Sequence, residues 1–305
     1  MVNFTLRQLR YFEALALHGH FGRAAETCAI SQPALSVQIK ELEATLGTQL
    51  FDRSARQVRL TSFGEAFGTR VREILRNVDA LDDFARAAQG QLTGRFRLGV
   101  IPTIAPYLLP ELIGNLGRSH PGIELHVRET LTPRLVQDLM QGQLDAAIVA
   151  LPLSESSLTE TALFHENFVL VRPEEQAALP TPSIDELRDM RLLTLEEGHC
   201  FRDQMLAFCN APTAMSRDGL DGSSLSTLVQ MVGAGIGVTM IPEMAIEVET
   251  RSARINCARF ADPQPSRQIG MVWRSSSPLG AAFSEVAEVV RQSAMPAGAD
   301  PIDVN

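Results

Sequence analysis

The chain has 305 residues, of which 45% are apolar and 21% charged, with a formal charge of -9 at neutral pH. That length holds about two to three domains, and the composition is globular, which excludes fibrous and low-complexity classes. The charge is uneven: residues 1–61 carry seven basic and five acidic side chains, while residues 91–305 carry sixteen and twenty-six, so a mildly basic head sits on an acidic body.

The longest uncharged apolar run, Ala146–Pro152, falls far below the ~18 residues of a membrane span, and no membrane partner is expected. The opening MVNFTLRQLR lacks the apolar core of a secretory signal, which points to the cytoplasm. Four cysteines, Cys28, Cys200, Cys209 and Cys257, are too few for a disulfide framework, and free thiols are the expectation there. No His/Cys cluster has metal-ligand spacing, so neither metal nor cofactor is expected.

In chain order, residues 6–17 read as a helix with Leu6, Leu9, Phe12 and Leu15–Ala16 on one face, and residues 21–28 as a shorter one. Ser31 caps a third helix, Gln32 to Leu46, which Gly47 ends. Its Leu35, Ile39, Leu42 and Leu46 share one face at 100° per residue. Pro33, Ser36, Val37 and Lys40 occupy the opposite face, flanked by Gln32 and Gln38. Small polar side chains with one branched aliphatic in the first two turns suit a DNA major groove. An arginine-rich ribbon follows, with Arg53, Arg56 and Arg59. It is either a solvated hairpin or a wing on phosphates.

Residues 62–90 read as one long linker helix. Phe67, Val71, Ile74, Val78, Leu81, Ala85 and Ala88 make a heptad seam, which packs either on the chain's own domains or across a dimer. Gly90-Gln91-Leu92-Thr93-Gly94 reads as a hinge, and residues 296–305 as a frayed tail.

From Arg95 onward strands alternate with helices, the pattern of a parallel α/β sheet. Strands are expected at Phe96–Ile101, Ile123–Glu129 and Ala146–Leu151, with helices at Ala105–Ser119 and Arg134–Gln141. A first lobe spans about residues 95–164 and 268–295, and a second about 165–267. Strand Ile269–Arg274 and helix Leu279–Ser293 return to the first. Thr103 and Thr132 stand where strands give way to helices, with Thr132 as N-cap before Pro133. Two lobes around a cleft lined by helix starts suit a small polar or anionic ligand.

The segment GHCFRDQMLAFC, residues 198–209, places Cys200 at a helix start, where a thiolate is stabilised with help from Arg202 or a protonated His199. Phe201, Met205, Phe208 and Cys209 form a buried face. Nine helical residues span about 13.5 Å and turn two and a half times, whereas a disulfide needs Cα atoms about 4.4–6.8 Å apart. These two sulfurs join only if the helix unwinds. Either the pair is two ordinary buried cysteines, or oxidation and conformation are coupled.

LRQLRYFEALALHGHFGRAAETCAISQPALSVQIKELEATLGTQLFDRSARQVRLTSFGEAF resembles the DNA-binding domain of LysR-type transcriptional regulators, through FGRAAE, SQPALSxQIKxLE, LFDRSAR and xLTxxG. The resemblance implies an α winged helix-turn-helix (1–61), a linker-helix dimer (62–90) and a two-lobe α/β effector domain like periplasmic binding proteins (91–305). It implies groove contacts from Gln32, Pro33 and Ser36, wing contacts from Arg53 or Arg56, double-stranded promoter DNA and RNA polymerase as partners, and a homotetrameric dimer of dimers. GHCFRDQMLAFC, IPTIAPYLLPELI and GSSLSTLVQMVGAGIGVTMIP are similar to the peroxide-sensing branch of that family. That likeness implies hydrogen peroxide as the signal, Cys200 as its target and Cys209 as disulfide partner. It places Thr103, Thr132, His199 and Asp203 around the peroxide, with Arg267 near the thiol. A regulator rather than an enzyme is expected, and the alternative is a LysR-type regulator answering a small-molecule inducer in the inter-lobe cleft.

Overall fold

The computed structural model describes residues 4–52, 58–88, 92–209, 221–251 and 253–294. They divide into a head unit, residues 1–85, and a body, residues 86–305.

In the head, α1 (Leu6–His18) opens with a capping box between Thr5 and Gln8 and ends at left-handed Gly19. His20 caps α2 (Phe21–Thr27), its ring accepting from the Gly22 amide at 3.0 Å. Ser31 caps α3 (Gln32–Leu46) through the Ala34 amide at 3.3 Å, and left-handed Gly47 closes it. Leu9, Phe12, Leu15, Leu35, Ile39 and Leu42 fill the core between these helices, each contributing about 1.5–3 kcal/mol of apolar burial. Leu6, expected on that face, is largely exposed. Strands β1 (Phe51–Asp52) and β2 (Arg59–Leu60) pair antiparallel as the wing. The expected contacts Arg53 and Arg56 lie outside the described residues.

Helix α4 (Ser62–Ala88) is the linker. Thr61 explains why it begins there: its Oγ1 accepts from the Gly64 amide at 3.0 Å and donates to the Gln49 carbonyl at 2.9 Å. Gly64 is obligatory for a steric reason, since a Cβ there would lie 2.1 Å from the Leu50 carbonyl oxygen. The heptad seam divides. Val71 is buried in the head core, with Leu75 beside it and Phe67 packed against it, and the Phe67 ring meets Phe12 edge-on at 5.2 Å. Phe67 and Val71 are therefore head residues and not a free dimer face. Val78 is half-buried, while Ile74 and Leu81 are exposed, as is Phe84, which the heptad reading passed over. Phe67 and Val71 fall within the helix's first three turns, where it still lies against α1 and the wing.

The hinge reading also needs correction at one end. Leu92 is buried in the body's first core and the Gly94 amide bonds the Gly122 carbonyl at 2.7 Å, so the chain is anchored from Leu92 onward. Residues 89–91 and the tail 295–305 lie outside the described residues.

Among the described residues the body is one seven-stranded sheet ordered β4-β3-β5-β9-β6-β7, with β8 also on β6. Strands β3 (Gly94–Val100), β4 (Ile123–Glu129) and β5 (Ala146–Leu151) pair in parallel, as expected. Between them run α5 (Ala105–Ser119) and α6 (Thr132–Met140). The remainder departs from a parallel sheet. Strand β6 (Leu158–Pro173) is 16 residues long and pairs antiparallel with β7 (Thr239–Pro242), β8 (Ile255–Arg259) and β9 (Ser266–Arg274). Its first half feeds a core with Leu158 and Leu163, its second half another with Phe168–Val171. His165, Glu166 and Asn167 mark the crossing. Helices α7 (Ile184–Asp189), α8 (Cys200–Phe208), α9 (Leu225–Gly233) and α10 (Ile246–Glu249) surround the second core, and α11 (Gly280–Ala294) returns to the first.

Candidate functional site

Helix α8 links the two cores. Its first residue, Cys200, is half-buried against the first core, whereas Phe201, Met205 and Cys209 belong to the second. Cys209 is the helix C-cap, its amide bonded to the Met205 carbonyl at 3.1 Å. Both cysteines are free thiols at opposite ends of an intact nine-residue helix. Burial pushes the Cys209 thiol up from its ordinary value, opposed by the charge of Arg188. Cys28 and Cys257 are likewise raised by burial.

Gly198 makes the entry to α8 possible by adopting a φ of 96°, with Leu131 3.0 Å from where a Cβ would stand. A narrow cleft of about 170 Å³ then forms between Ile101, Pro102, Thr103, Leu131, Thr132, Gly198, His199, Cys200 and Phe201. It brings together four of the expected residues: Thr103, Thr132, His199 and Cys200. With both thiols free, the cleft leaves no room for a water-sized molecule.

Arg267 stands behind that wall, buried, as the cross-strand neighbour of Glu166. Its Nε donates to Glu166 Oε2 at 2.9 Å, its Nη1 to Thr103 Oγ1 at 2.8 Å and its Nη2 to the Thr103 carbonyl at 3.1 Å. The guanidinium also lies 5.4 Å from the Phe201 ring centre and 5.8 Å from that of Phe168. It reaches the cleft through Thr103 and Phe201. Glu166 was not foreseen from sequence: a lone acid in a polar triplet gives no sign that burial and a crossing strand will aim it at an arginine.

Several expectations change here. Thr132 is the first residue of α6 and not its cap; Leu131 holds that place, and Thr132 Oγ1 is buried without a hydrogen-bond partner. Pro133 thus falls at the second helical position, where its missing N–H is still among the first-turn donors that lack an intrahelical partner. Asp203 is exposed and lies outside the cleft wall, in the helix's first turn, where a carboxylate is favoured by the backbone dipole. Arg202 does not serve the thiol. It is buried and points the other way, its Nη1 donating to the Leu195 carbonyl at 2.9 Å and Thr194 Oγ1 at 3.2 Å, beside Asp221 at 3.4 Å. A protonated His199 is also disfavoured: burial lowers its pKa, Glu196 opposing.

A second, wider cleft of about 300 Å³ adjoins the first, lined among others by Thr103, Tyr107, Glu129, His199, Ser224 and Ser226. Across it Tyr107 Oη and Ser226 Oγ both donate to Glu249 Oε1, at 2.8 and 3.0 Å. Burial and that carboxylate push the Tyr107 phenol far up.

On the head, Ser31, Gln32, Pro33 and Lys40 are exposed and Ser36 half-buried, so the outward face of α3 is as expected. Lys40 is the only lysine in the chain. Gln38 is engaged by Glu41 at 2.7 Å.

A winged helix-turn-helix on a two-lobe α/β body defines a class, and the chain belongs to the LysR family of bacterial regulators. The pattern of the bacterial regulatory helix-turn-helix protein, lysR family, matches residues 6–65, and that of the LysR substrate binding domain matches residues 89–295. Within the family it is similar to a probable hydrogen peroxide-inducible genes activator of Streptomyces viridosporus, 42% identical over 95% of this chain and 94% of that one. It is 37% identical to the DNA-binding transcriptional dual regulator OxyR of Escherichia coli, over 94% and 95%. A full-length OxyR variant of Pseudomonas aeruginosa superposes with a TM-score of 0.74 at 38% identity, covering 95% of each chain. A hydrogen peroxide-bound OxyR mutant of Corynebacterium glutamicum gives 0.65 at 34%, covering 96% of this chain and 94% of that one.

Proposed function

We propose that this chain is a peroxide-responsive, DNA-binding transcription regulator. Hydrogen peroxide oxidises the Cys200 thiol to a sulfenic acid, releasing water. The Cys209 thiol then displaces a second water to form a disulfide, and α8 refolds to allow it. The changed body alters DNA binding and activates antioxidant genes. One observation carries the reading: α8 starts with Cys200 against one core and ends with Cys209 inside the other. Thr103, Thr132 and His199 are the polar wall for the peroxide, Arg267 orients Thr103, and Asp203 joins them only if α8 moves.

Gln32, Pro33, Ser36 and Lys40 read the major groove, Ser31 holds their helix, and Arg53 and Arg56 take phosphates. Ile74, Val78 and Leu81 give the seam of a linker-helix dimer, two of which form the working tetramer. RNA polymerase is the partner at the promoter, and the cytoplasm is the setting. Among the described residues no helix is long and apolar enough to cross a membrane.

The test is a free-thiol count before and after stoichiometric peroxide. Loss of two thiols, mapped to Cys200 and Cys209, is expected, and Cys200→Ser is expected to abolish peroxide-dependent transcription. A second reading, a metabolite-responsive regulator, draws on the wider cleft of about 300 Å³; under it Cys200→Ser leaves the response intact. Continuous peroxide consumption by the purified chain would instead mark an enzyme.

A further inference from the structure

The C-terminal end of α8 is held by a residue outside the helix. Arg188, on α7, donates from Nε to the Cys209 carbonyl at 2.7 Å. That carbonyl belongs to a helix end, where backbone acceptors lack intrahelical donors and a cation is favoured. The arginine is itself well placed. Its Nη1 meets Asp185 at 3.2 Å, and Ser183 and Glu186 cap α7 reciprocally. Leu187, its neighbour, is fully buried in the second core. Arg188 therefore ties the backbone of Cys209 to a fixed element.

We propose that Arg188 is a positioning residue that holds Cys209 in the reduced arrangement, so that its bond to the Cys209 carbonyl must break before the disulfide can form. This rests on the disulfide reading above. The chemistry is unchanged: Cys200 sulfenic acid and Cys209 thiol give the disulfide and water, peroxide being the oxidant. Arg188 acts on the geometry of that second step. Helical spacing keeps the two Cα atoms about 13.5 Å apart, and the closing bond requires less than about 7 Å, so a tether on either end opposes closure. The tether exists only in the reduced form, and its loss favours the oxidised one.

The test compares the full chain with Arg188→Ala and Arg188→Lys. A charge-assisted hydrogen bond at a partly exposed site predicts a shift of about tenfold. With Arg188→Ala, the dithiol–disulfide equilibrium in a dithiothreitol redox buffer is expected to move about tenfold toward disulfide. Disulfide closure after a peroxide pulse is expected to accelerate, while sulfenic acid formation, read in a Cys209→Ser background, stays the same. Arg188→Lys, which keeps a cationic donor, is expected to restore much of the wild-type equilibrium. A purely structural role would lower the melting temperature of reduced and oxidised chains alike; the tether lowers only that of the reduced chain. Unchanged or slower closure in Arg188→Ala, or equal destabilisation of both forms, overturns the proposal. If the wild-type chain forms no Cys200–Cys209 disulfide, the functional reading itself has failed, and the two outcomes are distinct.

Discussion

Arg267 and Thr103 are joined twice, side chain to hydroxyl at 2.8 Å and side chain to carbonyl at 3.1 Å. Because Thr103 Oγ1 accepts from the guanidinium, its own proton is left to point elsewhere, and the hydroxyl lies in the wall of the cleft beside Cys200. The pair thus fixes a hydroxyl donor at the cleft, which under the proposed function meets a peroxide oxygen. Thr103→Val removes that donor and strands a buried guanidinium nitrogen, a loss of about 1–3 kcal/mol. Thr103→Ser keeps both functions. Stopped-flow oxidation of Cys200 is expected to slow about tenfold or more in the valine variant and to stay near wild type in the serine variant. Equal rates in both would remove Thr103 from the reaction.

Thr132 gives the opposite stability sign. Its hydroxyl is buried without a partner, a state that costs about 1–3 kcal/mol. Thr132→Val is isosteric and relieves that cost, so the reduced chain is expected to melt at an equal or higher temperature while Cys200 oxidation slows. A variant both less stable and equally reactive would show the hydroxyl to be structural.

His199 makes stability depend on pH in a definite direction. Burial lowers its pKa below the ordinary 6.5, with Glu196 opposing. Below pH 6.5 the unfolded chain takes up a proton that the folded chain resists, so the unfolded state binds more protons. This contribution to stability is complete above pH 6.5, declines as pH falls, and levels off once pH has passed the folded value. Denaturant unfolding of His199→Asn between pH 7 and about 5 is expected to show a shallower decline than wild type. Parallel curves would exclude the histidine as the cause.

Gly64→Ala sets a Cβ 2.1 Å from the Leu50 carbonyl. Neither the helix backbone nor the wing strand can yield cheaply, and a loss of about 1–3 kcal/mol is expected. The measurement is the head's unfolding transition together with affinity for a DNA fragment selected by the chain. Since the atoms nearest a Cβ at Gly64 belong to Leu50 and Leu60, weaker binding at normal head stability would contradict this account.

Lys40 offers a direct test of the DNA face, because it is the chain's single lysine and is exposed on α3. Acetylation of its amine, followed by peptide mass spectrometry, is expected to slow several-fold when selected DNA is bound. Lys40→Ala is expected to lower the salt slope of binding by about one. Undiminished labelling in the complex would take this face of α3 off the DNA.

The sequence carried the helices best where local chemistry fixes both ends. Helix α5 runs from Ala105 to Ser119 as read from periodicity, and α3 from Gln32 to Leu46 because Ser31 caps it and Gly47 stops it. Strand β6 was not legible, because His165, Glu166 and Asn167 interrupt its apolar pattern where it crosses between cores. The cleft was legible in membership through the family resemblance, in Thr103, Thr132, His199 and Cys200. Its wiring was not. Arg202 sits two residues from Cys200, yet its guanidinium is claimed by Thr194 and Leu195, and Arg267 is served by an acid 101 positions away. The heptad in α4 is a true periodicity with two masters, the head for Phe67 and Val71 and the outside for Ile74 and Leu81. Spacing alone does not say which surface comes to meet a stripe.

One consequence follows from lodging one sulfur inside a core while the other only leans on its neighbour. Under the proposed disulfide mechanism, drawing the thiol of Cys209 out empties a space in the core it shares with Phe201 and Met205, so the dose of oxidant that trips the response is set by how well that interior is filled. Trimming a methylene or two there, around Cys209 and away from Cys200, is expected to make the sensor more easily triggered without altering how fast peroxide reacts. Alarm level and reaction speed are thus adjustable by different residues, and a lineage facing more peroxide can shift the first while leaving the second untouched.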